Sequence, residues 1–234
     1  MDKYYKIKEE CLKANLKIPE LKLAIYTFGN VSVYDKNLGV VAIKPSGVPY
    51  HELDIDKIVL TDLEGRPLSS SSLNPSSDTK THCYLYKSWP SIKSICHTHS
   101  TYAVGWSQSL QDVEILGTTH ADHLTRSVPC TSPMRDDLIE GDYELNTGLQ
   151  IVEFFKEKNI NPYEVQMLLV GSHGPFTWGE SAEQSVYNSK VLEEICQMAL
   201  ISKTINPNVK KLKKALIKKH YERKHGDNSY YGQS

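Results

Sequence analysis

The chain has 234 residues, 39% of them hydrophobic and 24% charged, enough for one sizeable core and too few to suggest a second full domain. Its 27 basic and 28 acidic side chains nearly cancel, so no global field draws it to nucleic acid or a membrane, and anion recognition falls to local clusters. No apolar run is long enough to span a bilayer, the start lacks a secretory-type apolar segment, and five scattered cysteines without a CxxC pair read as free thiols; a cytoplasmic protein is expected.

In chain order, apolar positions at Ile7, Cys11, Leu12 and Leu16 predict a helix over 5–16, with Pro19 as its stop. Short strands follow around 31–33, 40–43 and 58–61, punctuated by turn signals at 37–39, 45–47 and 62–65. The polar stretch 69–77 leads into a helix over 79–87, with Ser77 or Asp78 as its cap; a loop held at a helix start offers an anion site. A central strand is predicted over 92–99, a short helix over 102–107 and a longer helix within 138–158. The last strand is expected at 165–170, followed by a loop over 171–179. An amphipathic helix over 182–202 and a basic helical run over 203–224 complete the pattern. Helices and short strands without regular βαβ alternation imply a layered α/β domain around a mixed or antiparallel sheet.

His97-Thr98-His99 is the sharpest chemical signal. Residues two apart on a strand face the same way, so both imidazoles can approach one ion, although such a pair alone is weak evidence. His173 follows another strand between Gly171 and Gly174, which allow a sharp turn, and Asp78 can present a carboxylate from a helix start. Three imidazoles and a carboxylate suit zinc or another first-row divalent ion. Cys96 falls on the opposite strand face and reads as core packing; His120 and His123 read as hydrogen-bonding or substrate-facing residues rather than ligands. Lys44-Pro45-Ser46-Gly47, Gly29-Asn30 and Ser76-Ser77 can together supply a cation, hydroxyls and amides to one phosphate, though each alone is an ordinary turn or cap. Asp122 is either a turn carboxylate or a proton-transfer group, and Tyr230-Tyr231 either a frayed tail or a flap reaching a site or a neighbouring subunit.

The ordered motifs TFGNVS, KPSGV, PSSDTKTH, HTHS, GTTHAD, SHGPFTWG and KHYERKHGDNSYYGQ span nearly the whole chain. Together they resemble the class II aldolase/epimerase family, in its epimerase branch. The resemblance implies a single domain over 1–234, an α/β/α sandwich around a central, largely antiparallel sheet. It implies a Zn2+ site at Asp78, His97, His99 and His173, and substrate and phosphate contacts at Asn30, Lys44, Ser46, Gly47, Ser76 and Ser77. Asp122 and Tyr231 are implied as acid-base residues, with His220 as a contact contributed across an interface. The implied assembly is a homotetramer whose active sites lie between subunits and use the C-terminal tail, with a small sugar phosphate as substrate and neither nucleic acid nor membrane as partner. The implied reaction interconverts L-ribulose 5-phosphate and D-xylulose 5-phosphate by cleaving and remaking the C3–C4 bond through a metal-stabilised enediolate. An aldolase acting on a related sugar phosphate is the alternative; Asp78, where the fuculose-phosphate aldolases resembled here carry a glutamate, favours the epimerase.

Overall fold

The computed structural model describes residues 3–69 and 73–226. Helix α1 (Tyr5–Glu20) buries Ile7, Cys11, Ala14 and Ile18 along one stripe. It continues through Pro19 instead of stopping before it. The stop is a Schellman-type end: Lys22 adopts φ 57°, Leu23 N–H donates to the Ile18 carbonyl and Lys22 N–H to that of Pro19. Pro19 leaves the Asn15 carbonyl, one turn earlier, without its usual amide partner, while the buried Asn15 side chain bonds both backbone groups of Val31.

The strands are β1 (Asn30–Asp35), β2 (Val40–Ile43), β3 (Val59–Thr61), β4 (Ser94–His97), β5 (Met167–Val170) and β6 (Gly174–Gly179). They form one sheet in the order β3-β2-β1-β4-β6-β5, antiparallel at every pair. The expected loop over 171–179 is thus mostly strand β6, paired to β4 with His97 opposite Phe176 and to β5 with Leu168 opposite Phe176. Its Gly-Pro start reads as turn punctuation, but every residue of the strand is buried, so tertiary pairing overrides the local signal.

The remaining helices are α2 (Thr79–Ser88), α3 (Thr101–Ser109), α4 (Thr118–Ala121), α5 (Asp136–Ile139), α6 (Tyr143–Glu157), α7 (Ala182–Ile205) and α8 (Lys214–His225). Strand alternation sends Val31, Val33 and Cys96 to one sheet face, against α1 and the start of α7. Ile95, Phe176 and Trp178 face the other way, against Leu85 and Tyr86 of α2 and Ile151 and Phe155 of α6. The result is an α/β/α sandwich, with Cys96 in the core as expected. Trp178 anchors the second layer, its ring 4.8 Å from that of Trp89 and 5.5 Å from that of Phe155. Truncating such an aromatic costs about 3–5 kcal/mol.

The basic C-terminal run is not one helix. Between α7 and α8 an extended segment crosses the surface, where Leu212 N–H donates to the Ile115 carbonyl and Glu114 pairs with Lys203 and Lys211. Asn206 and Pro207 break the helix, and the strap carries α8 onto α4. Among the described residues no helix is long and apolar enough to cross a membrane.

Candidate metal centre and anion pocket

His97 ends β4 and stacks on Phe176 of the neighbouring strand, ring centroids 4.1 Å apart. Its Nδ1 donates to the Pro175 carbonyl at 2.9 Å, which fixes the tautomer and leaves the Nε2 lone pair free for an ion. Nε2 of His99 lies 3.1 Å from Nε2 of His97. His173 joins them from the β5–β6 hairpin, and the three ligand nitrogens fall within 4.8 Å of one another. Two nitrogens bound tetrahedrally at about 2.0–2.1 Å from one ion stand about 3.4 Å apart, so the donor set fits a divalent metal. Burial and mutual repulsion pull the His173 imidazole down to about 3 and lower that of His99, keeping both neutral, as ligation requires.

The hairpin places His173 differently from the expected glycine turn. Ser172, not a glycine, takes the left-handed conformation (φ 63°). Gly171 is required instead because any Cβ there would run into the Thr131 carbonyl oxygen.

Asp78 precedes α2 but makes no side-chain cap. Its carboxylate accepts from Asn30 Nδ2 at 2.6 Å and Ser76 Oγ at 3.5 Å. Burial alone would raise its pKa, but His97, His82, His173 and the Asn30 amide hold it below the usual carboxylate value. It therefore stands ionised beside the imidazoles without belonging to their tight triad. The buried His82 Nδ1 and the Tyr86 hydroxyl lie 2.8 and 2.7 Å from Ser32 Oγ, forming a buried polar chain.

The triad opens into a cavity of about 370 Å³ that also contains Asn30, Lys44, Ser46, Gly47, Ser76 and Ser77. Backbone bonds explain their convergence: Ser46 N–H donates to the Asn74 carbonyl, and Ser76 N–H to that of Lys44. Gly29, at φ 82°, lets this wall approach the histidine loop, since a Cβ there would meet the His97 carbonyl at 3.0 Å. Lys44 is buried, Nζ donating to the Thr27 carbonyl at 3.2 Å over the ring of Tyr50, and burial pulls its pKa down to about 8. A partly desolvated ammonium among hydroxyls and amides is suited to an anion.

Tyr143 and Glu144 also line this cavity, and the Tyr143 hydroxyl lies 3.4 Å from Nδ1 of His173. Sequence reasoning missed both. The available signal was the Asp142 cap of α6, tied to α2 by the 2.7 Å Lys80–Asp142 ion pair.

Asp122 and His220 do not line the cavity. Asp122 follows α4, and α8 grips it within the same chain: His220 Nδ1 lies 2.9 Å from Oδ1, and Arg223 donates to both oxygens at 2.9 Å. Burial would raise its pKa, but Arg223 and His220 hold it below the usual value, so it is ionised at neutral pH. His120 is buried and the His123 ring packs 5.7 Å from that of Tyr187; neither joins the triad. Tyr231 lies outside the described residues.

Residues 9–200 match the family profile described as the class II aldolase and adducin N-terminal domain. The chain is 42% identical over 228 residues to the L-ribulose-5-phosphate 4-epimerase UlaF of Salmonella paratyphi A, covering 97% of this chain and 99% of that protein. The Salmonella typhi protein of the same name gives the same figures. Among solved structures, an L-fuculose 1-phosphate aldolase superposes with TM-score 0.75 at 20% identity, covering 93% of this chain and 95% of the other. The L-fuculose-1-phosphate aldolase of Thermus thermophilus gives TM-score 0.69 at 22% identity, covering 88% and 99%. These two likenesses carry the fold.

Proposed function

The chain belongs to the class II aldolase and adducin N-terminal domain family, and from that premise we propose that it is a metal-dependent epimerase interconverting L-ribulose 5-phosphate and D-xylulose 5-phosphate. The observation that carries this reading is the single cavity joining three clustered imidazoles to a buried lysine and paired serine hydroxyls. The 42% identity to epimerases across nearly the whole chain supports the choice within the family.

His97, His99 and His173 would hold the ion, with Asp78 as the fourth ligand once it turns from Asn30. The nitrogen-rich set favours zinc. Such an ion supplies Lewis-acid stabilisation of the charge that develops on the substrate's C2 and C3 oxygens. Lys44, Ser46, Gly47, Ser76, Ser77 and Asn30 bind the phosphate and adjoining substrate atoms, restraining one end.

C4 carries no neighbouring carbonyl, so direct deprotonation there is unfavourable. Removal of the C4 hydroxyl proton instead lets the C3–C4 pair flow to C3 and the C2 ketone, leaving a dihydroxyacetone enediolate and glycolaldehyde phosphate. The aldehyde rotates, C3 adds to its other face, and the proton returns to the C4 oxygen. Asp122 and Tyr231 exchange that proton from opposite faces. Asp122 and His220 stand outside their own chain's cavity, which supports a role for them at the cavity of an adjacent subunit in a homotetramer. A cytoplasmic location accords with the free thiols.

The test is to incubate metal-loaded and chelated protein with L-ribulose 5-phosphate and resolve the sugar phosphates over time. Metal-dependent formation of D-xylulose 5-phosphate is expected. Sustained release of aldehyde fragments would replace this reading with an aldolase, and no conversion would overturn it.

A further inference from the structure

Helix α3 begins two residues after His99, and its start has an unusual cap. Ser100 occupies the cap position but makes no side-chain cap hydrogen bond. The first-turn amides are taken by Glu193, far along the chain on α7: Oε1 accepts from Tyr102 N–H at 3.0 Å and Oε2 from Ala103 N–H at 2.9 Å. Glu193 is only 6% exposed. A carboxylate is costly to bury unless it is hydrogen-bonded, and here both oxygens are used against a helix N-terminus, where negative charge is favoured. One turn further along α7, Gln197 Nε2 donates to the Tyr102 hydroxyl at 3.1 Å.

The segment from His97 to Ala103 is therefore fixed at both ends. At the β4 end His97 is held by the Pro175 carbonyl and by sheet pairing. At the α3 end the backbone is held by Glu193. His99 lies between, outside any regular element, and its ring meets those of Phe28, His97 and His173. Among the described residues its Nδ1 has no hydrogen bond of the kind that orients His97, so its aim depends on the backbone that carries it.

We propose that Glu193 is a positioning residue for the metal centre, holding the β4–α3 connection so that His99 faces His97 and His173. This inference rests on the metal-site reading above. It makes α7, on the opposite layer from the anion pocket, part of the apparatus that sets metal affinity.

The experiment uses full-length protein and reads metal affinity by chelator competition and ligand geometry by the visible absorption of the Co2+-loaded form. Glu193→Gln keeps the shape but turns one acceptor into a donor facing an N–H. Supporting hydrogen bonds at metal sites are typically worth 10–100-fold in affinity, so a loss of about tenfold or more and an altered Co2+ spectrum are expected. Trp106→Phe removes a different α3–α7 link, the 2.9 Å bond from Nε1 to the Cys196 carbonyl. It should lower the melting temperature while leaving Co2+ affinity and spectrum unchanged. If Glu193→Gln fails to fold, Glu193→Asp, which keeps the charge at shorter reach, should show the same affinity loss to a smaller degree. Wild-type affinity and spectrum in a folded Glu193 variant, or the same loss in Trp106→Phe, would overturn the proposal. Failure of the wild-type protein to bind metal at all would instead overturn the metal-site reading.

Discussion

The histidine cavity and the Asp122 cluster are built by opposite means. The cavity is formed by strand ends and their first loops: β4 supplies His97, the β5–β6 hairpin His173, and the 44–47 and 74–77 loops the candidate anion contacts. Its histidines and lysine are buried or half-buried and are positioned by strand ends and the loops paired to them. The Asp122 cluster sits on four-residue α4 and is closed by His220 and Arg223 from α8, itself slung on a surface strap. One region holds the candidate ligands and anion contacts; the other holds an ionised carboxylate that does not line that cavity. Under the proposed function, chemistry divided in this way within a chain would be completed by bringing two copies together.

The largest effect should come from breaking the first region. His97→Asn removes a ligand and should lower turnover about a thousandfold, since Lewis-acid stabilisation is worth several kcal/mol. Metal content after dialysis should fall with it, measured by atomic emission. Retained metal with retained turnover would remove His97 from the site.

Asp122→Asn attacks the second region alone. Turnover should drop about 10²–10⁴-fold, the range of positioned acid-base groups, while metal affinity stays at the wild-type value. Calorimetric titration with metal alongside steady-state kinetics separates the two. Unchanged kcat would return Asp122 to a structural role beside Arg223.

Lys44 gives a smaller, pH-marked effect. With its pKa pulled down to about 8 by burial, the free protein loses this cation above about pH 8, and kcat/KM for the sugar phosphate should fall there. Lys44→Met should raise KM about ten- to hundredfold, as expected for a lost hydrogen bond to a charged group, and flatten that limb. Stability should change in the opposite sense. The folded value lies below the unfolded 10.5, so the cost of the buried charge is fully present below pH 8 and fades as pH rises towards 10.5. The Met variant should therefore melt higher than wild type at pH 7, with the gap closing towards pH 10.5.

The first region was largely legible in the sequence and the second was not, for a physical reason. The strand signal placed His97 at a strand end, and the two-residue spacing brought His99, just past that end, beside it, although the expected strand over 92–99 is only Ser94–His97. Their convergence with His173 required only that two strand ends share a sheet edge. Strand β6 was unreadable because Gly174 and Pro175 look like a turn, and only pairing on both sides makes their segment a strand. The end of α1 was misread because Lys22, a residue with no local preference for φ > 0, supplies the left-handed stop after Pro19. Asp122, His220 and Glu193 act through contacts across 90 residues or more, and no local pattern encodes such a meeting. The polar stretch around Asp122 left a turn carboxylate and a proton-transfer group both open, only the ordered motifs shared with a family pointed to His220, and nothing in the sequence pointed to Glu193.

The most direct test of the divided site is complementation between inactive variants. His97→Asn and Asp122→Asn chains, each nearly inactive alone, are unfolded together, refolded as mixed oligomers and assayed with L-ribulose 5-phosphate. If each site joins the cavity of one subunit to the Asp122 cluster of the next, about a quarter of the sites in a randomly mixed closed ring pair two intact halves, and activity should return to about that fraction. If mass spectrometry shows that hybrids have formed and activity stays at the level of the separate variants, the two regions do not meet across subunits and the account is contradicted.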